Sequence, residues 1–476
     1  MRLLVVAVVS VLLLPPTTGQ NRIDVSPQYV VESPAVYSPN PNHIWNQVYD
    51  VLLVREDKAG GNYGVDSLDP LLWWKTKHLL EGPSHEQALM VLDEFLRTHA
   101  ENEIRDPINR VLLERDLWAV FDWSASSTDD HLSQRRELQV RLAEVMRRLA
   151  LTSDEIKSLP ETYTQALASG VFATEYDPAH TERTFLPADL FQPTGSWVYL
   201  WGNGVVPVAE EHIAAVSGRS RFLVFLRLPG GRKATLDYLR TLWEFPEPWS
   251  VHPGDPNQVV PSTKLPQFPA GTQVALVRQM ITFDRSGELV PTPITESVQI
   301  RVYHSVPARI DHNDVNIDWS AARSEQDRYE LRLSRRKLLA RDAGGLRALG
   351  PDEKEFLTFK SQGEDPFEEH RSLQQFRSQV LDGCVACHSA PGINSLQSRI
   401  HLLKPSPTRS RQTRARGFSP VVGSRRNRLV EATTPRLGIA QWVLECYTRG
   451  EFVRLTLTQD SQPENSLVST AQPDKK

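Results

Sequence analysis

Apolar positions are not spread evenly along this chain, and their spacing changes three times. Residues 3–14 form an apolar run broken only by Ser10, with Met1-Arg2 before it and Pro15-Pro16, Thr17 and Gly19 after it. A basic start, a short apolar core and small residues behind it predict a secretory signal peptide over 1–19. The run is too short to span a bilayer. Residues 20–80 carry little periodicity: prolines and asparagines crowd 34–41, 45–54 fits a short helix or strand, and Gly60-Gly61 marks a turn. From 84 to 160 the period is helical. Ser84-x-x-Gln87 predicts a capping box ahead of Leu89, Leu92, Phe95 and Leu96. Asp106-Pro107 predicts a cap with proline in the first turn, followed by Val111, Leu112, Leu117, Val120 and Phe121. Leu138, Leu142, Val145 and Leu149 recur at helical spacing with Met146 among them, and Thr152-x-x-Glu155 caps a further helix.

Beyond residue 170 the period shortens. Segments 196–201 and 221–228 are rich in aromatic and branched residues and predict strands. Pro229-Gly230-Gly231 turns the chain into a helix over 233–245, with Thr235, Tyr238, Leu239 and Leu242 on one side. Five prolines between 253 and 269 predict loop. Segments 273–283 and 297–303 predict an antiparallel hairpin joined by a longer connection through Gly287. In its second strand Val298, Ile300 and Val302 point inward, and Gln299, Arg301 and Tyr303 outward. The dense charges from 321 to 349 predict a solvated helix.

Composition narrows the function classes. The chain has 476 residues and a net charge of −4, so no general affinity for nucleic acid is implied. Once 1–19 is removed, no stretch is long enough to be a transmembrane segment, and the expectation is an exported protein, in a bacterial periplasm. No HExxH, GxSxG, Walker loop or dinucleotide fingerprint occurs in the front three quarters. Three cysteines is an odd number for an exported chain.

Two of those cysteines carry the chemistry. Gly383-Cys384-Val385-Ala386-Cys387-His388 holds a Cys-x-x-Cys-His sequence, the attachment signature of a c-type haem. On one helical turn Cys384 and Cys387 share a side, and His388 follows directly. Leu373, Phe376 and Val380 sit at helical spacing before it. This stretch resembles the c-type cytochromes, over the last hundred residues at most. The resemblance implies one haem c per chain, covalently attached, with Cys384 and Cys387 as thioether anchors and His388 as the proximal iron ligand. It leaves Cys446 alone. Two other readings stay open: a disulfide between Cys384 and Cys387 in a non-haem binding or scaffold module, and a zinc site of Cys384, Cys387, His388 and Cys446.

The distal iron position is not settled by the motif. Many small cytochromes use a methionine downstream of it, but the methionines here are at 1, 90, 146 and 280. The downstream His401, or Met280 or an upstream histidine, are the candidates, and an open iron that binds gases or reacts with peroxide, as a sensor or peroxidase, is the alternative. Nine basic residues stand against Glu431 over 404–436, a patch suited either to haem propionates or to steering an acidic redox partner protein.

The expected fold is therefore α+β: a mainly helical region over 20–170, an α+β region with an antiparallel hairpin over 171–305, a charged helical linker over 306–365, a small, mostly α haem c unit over 366–460, and a disordered tail over 461–476. The expected role is electron carrier rather than catalyst.

Overall fold

The computed structural model describes residues 35–56, 60–73, 75–125, 130–200, 208–252, 254–306, 326–350, 365–368, 388 and 392–404. The expected signal peptide, Cys384, Cys387, Cys446 and the tail lie outside the described residues. What is described is a mixed α/β structure with antiparallel sheets.

The helical period of the front half folds as helices. α1 (Ile44–Leu53) is followed by a short ribbon, β1 (Arg55–Glu56) with β2 (Asn62–Tyr63), and then by α2 (Gly82–Arg97). Next come α3 (Pro107–Ser124), α4 (Leu132–Leu149), α5 (Ser153–Lys157) and α6 (Thr162–Ala168). Asp106 caps α3 by accepting from the backbone N–H groups of Ile108 and Asn109, and Thr152 with Glu155 forms the reciprocal capping box. The predicted box at Ser84 does not form. α2 starts earlier, at Gly82, with Pro83 in its first turn, and Ser84 Oγ accepts from Leu79 N–H at 3.1 Å. Proline has no N–H to leave unpaired there, which moves the start forward.

The rear half is one six-stranded antiparallel sheet in the order β10-β9-β8-β7-β4-β3. Its strands are β3 (Val198–Tyr199), β4 (Ser220–Arg227), β7 (Gln273–Phe283), β8 (Leu289–Tyr303), β9 (Gln326–Leu333) and β10 (Leu346–Ala348). Helices α7 (Glu210–Ala215) and α8 (Gly231–Glu244) flank β4 in sequence. α8 buries Thr235, Tyr238, Leu239 and Leu242, the side expected from spacing. The hairpin is longer than predicted, since β8 begins at Leu289, just past a tight turn whose Gly287 has φ +82°.

Two expectations are overturned. The proline-rich segment is not all loop: β5 (Trp249–His252) pairs with β6 (Asp255–Pro261) in a separate two-stranded ribbon. Each strand of such a ribbon has an unpaired edge, where proline is tolerated. The charged stretch expected as a helical linker over 306–365 contributes β9 and β10 to the main sheet, with the short α9 (Arg335–Leu339) and a 3-10 turn (Ala343–Gly345) between them. β9 alternates. Tyr329, Leu331 and Leu333 lie on one side and are buried, while Gln326, Arg328, Glu330 and Arg332 lie on the other.

That alternation gives the sheet two unlike faces. Val277, Ile300 and Tyr329 share the apolar one, through the pairing of Val277 with Val298 and of Ile300 with Ala275 and Tyr329. Phe185 covers it at Tyr329, ring centres 5.2 Å apart, and Phe191 covers it at Phe225, at 5.5 Å. The other face carries Arg278, Gln299, Arg301, Arg328 and Glu330. At one end Arg278 bridges Asp69 at 2.8 Å and Glu296 at 2.7 Å, and the buried Arg115 reaches both acids at 3.2 Å. The opposite end of this polar face carries the segment that contains His388.

Candidate metal centre

Residues 392–404 lie over the end of β8. Two 3-10 turns, Gly392–Ser395 and Gln397–Leu402, bring buried Ile393, Leu396 and Leu403 against the body of the protein. Gly392 has φ +55°, and a Cβ there would collide with Gln267 Oε1 and stand 2.6 Å from Val306 Cγ1. Only glycine fits that left-handed, crowded position. Ile393 N–H then donates to Gln267 Oε1 at 2.9 Å, and Ser398 Oγ donates to the Val208 carbonyl at 2.6 Å.

Ser395 is the hinge of the arrangement. Its Oγ lies 2.6 Å from Tyr303 Oη, and its carbonyl takes a bond from His388 Nδ1 at 2.8 Å. Arg301 Nη1 approaches the same carbonyl at 3.4 Å. Tyr303 was expected to face outward; it does point to that side of the sheet, but it is fully buried because the 392–402 segment covers it.

The bond to Ser395 decides the state of His388. A carbonyl only accepts, so Nδ1 carries the proton and Nε2 keeps a bare lone pair. This is the arrangement that fixes a metal-binding histidine, with one ring nitrogen tied to a backbone oxygen and the other left to ligate. Burial, and then the positive charge of Arg301, push the His388 imidazole down to about 3. It is neutral at pH 7, the form a metal ligand must take.

A second imidazole stands beside it. His212, on α7, has its ring centre 6.2 Å from that of His388, with the planes 11° apart. Phe222 of β4 backs it, ring centres 5.5 Å apart. Burial, then Arg301 and Arg278, push His212 down to about 4, so it too is neutral. Among the described residues neither nitrogen of His212 makes a hydrogen bond. Sequence reasoning allowed for an upstream histidine without naming this one. No spacing rule links positions so far apart; only the sheet brings them together.

His401 is buried at the end of the second 3-10 turn rather than exposed on a loop. Met280 is fully enclosed in β7, opposite Ser220, as part of the core. Met146 is core on α4, and Met90 is exposed on α2.

The segment before the motif is also anchored. Arg55 and Asp365 form an enclosed ion pair at 2.8 Å, and Thr76 Oγ1 donates to the same carboxylate. Glu368 accepts from the backbone N–H of Lys77 at 2.7 Å and of His78 at 2.9 Å, while Phe367 packs between Tyr63 and Trp73.

Among the described residues no three or more of His, Cys, Asp and Glu gather to hold a metal by themselves, and no helix is long and apolar enough to cross a membrane. No protein-family model, curated protein or solved structure matches the chain.

Proposed function

We propose that this is an exported electron-transfer protein carrying one haem c, with Cys384 and Cys387 as its thioether anchors and His388 as its proximal ligand. The observation that supports it best is the 2.8 Å bond from His388 Nδ1 to the Ser395 carbonyl. It leaves Nε2 of the half-buried motif histidine with a neutral lone pair, which is what an axial haem ligand requires. Two lone imidazoles make a poor site for a bare ion, whereas a porphyrin brings four equatorial nitrogens of its own. The donor set therefore fits a haem. When bound, a haem supplies a one-electron iron couple.

The chain's own residues do the rest. Cys384 and Cys387 retain the group covalently, so retention does not depend on the area buried around it. Ser395, held by Tyr303, orients the His388 ring. Arg301 places positive charge beside the site, which disfavours the more positive, oxidised state. The basic residues over 404–436 steer an acidic redox partner. In this reading His388 and residues 392–404 of the haem-bearing stretch are applied to the polar face of the sheet.

The test is a pyridine haemochrome spectrum of the full chain matured in a periplasm, together with haem staining on a denaturing gel. The expected result is one haem per chain with both thioethers formed, lost in the Cys384→Ser, Cys387→Ser double variant. A mature chain with no porphyrin mass would overturn the proposal. Partner steering has its own readout: the reduction rate by an acidic donor protein should fall as salt rises, and a rate indifferent to ionic strength removes that part.

A further inference from the structure

We infer that His212 is the second axial ligand of the iron held by His388, making the site a bis-histidine, six-coordinate, low-spin haem. This rests on the haem reading above and extends it to a residue some distance from the motif.

Three observations carry it. The first is geometry. Two imidazoles that bind one metal from opposite sides, each at about 2 Å, place their ring centres roughly 6 Å apart. His212 and His388 stand 6.2 Å apart with planes within 11° of parallel. Ordinary ring pairs reach the same separation, so the spacing alone does not choose between contact and ligation.

The second observation is the state of His212. Neither of its ring nitrogens has a hydrogen-bond partner among the described residues, although the ring is half-buried against Phe222. With none of the described residues bonded to them, the ring nitrogens stay available to ligate a metal. The ring is also firmly mounted: α7 buries Ile213, with Ala209 and Val216 buried just outside its two ends.

The third observation is where the thioether ligands are. Met280 and Met146 are packed in the core, and Met90 is exposed on a distant helix. Among the described residues, the methionine that usually completes a small cytochrome has no counterpart beside His388. A second histidine makes the potential lower than a methionine would, and it closes the iron to gases.

The experiment uses the full chain matured in a periplasm, with haem content measured first. The oxidised wild type should be low-spin by electron paramagnetic resonance, should show no methionine-to-iron charge-transfer band, and should resist carbon monoxide when reduced. His212→Ala should keep its covalent haem on a denaturing gel but become high-spin and bind carbon monoxide, and added imidazole should restore the low-spin spectrum. His212→Met, which keeps a ligand of similar reach, should stay six-coordinate and gain the methionine band. That variant serves where the alanine form does not fold.

A wild type that is high-spin or takes up carbon monoxide freely would overturn the inference while leaving the haem reading intact. So would a low-spin His212→Ala protein, or loss of the low-spin signal in His401→Ala instead. A chain without haem overturns both readings together.

Discussion

Single buried ionisable residues set much of this molecule's response to pH, and Glu114 is the clearest of them. It lies fully buried on α3 and accepts from the Phe283 backbone N–H at 3.0 Å. Burial pushes its carboxyl up from 4.5 to about 8. The folded state therefore holds a proton that the unfolded chain has released. The stabilisation is fully present below pH 4.5 and is lost as the pH rises to about 8. Glu114→Gln, which keeps an acceptor for Phe283, should flatten that fall; the removed slope is about 1.4 kcal/mol per pH unit at most. Urea unfolding at several pH values between 5 and 8 measures it, and parallel profiles for the two proteins would refute the assignment. At this scale the sequence was only partly legible. The Cys-x-x-Cys-His motif announces itself because five adjacent residues carry it. Glu114 and His212 do not, because each depends on what a distant strand places beside it.

Elements were legible where one kind of residue sat on one side. The buried positions of α8 are those its spacing predicts, and so are the caps of α3 and α5. β9 was misread for a physical reason. Charge density suggested a solvated helix, yet Arg328, Glu330 and Arg332 sit on every second residue, and the sheet's polar face is covered rather than open to water. The covering element is the pair of 3-10 turns at 392–402, whose geometry depends on Gly392. Gly392→Val should lift that turn from Gln267 and Val306, at a cost of about 1–3 kcal/mol for backbone strain, and should release the Ser395 carbonyl from His388. Thermal unfolding reads the first effect. The second appears as a changed absorption spectrum in the haem-loaded protein with covalent haem unchanged. An unaltered melting temperature and spectrum would show that the turn does not hold the ring.

At the scale of the whole molecule, a buried arginine is one of the links between the helical front and the rear half. Arg335 of α9 makes two bonds of 2.7 Å to Asp116 of α3, donates to Tyr37 Oη at 2.9 Å and to the Ser67 carbonyl at 2.9 Å, and lies 4.5 Å above the Tyr49 ring. Arg335→Ala leaves a buried carboxylate unpaired and should cost about 3–5 kcal/mol. Arg335→Met combined with Asp116→Leu should recover most of it, as read by urea midpoints. None of this was visible in the sequence, where Tyr37, Ser67 and Asp116 fell in the predicted helical region over 20–170 and Arg335 in the predicted linker over 306–365. A different consequence follows from the docking of 365–368 on the front helices and of 392–404 on the sheet. In sequence, Cys384–His388 lies between these two anchored segments. Severing the chain at a protease site engineered between 369 and 383 should leave both fragments eluting together on a sizing column, with the rear one still lodged against its strands.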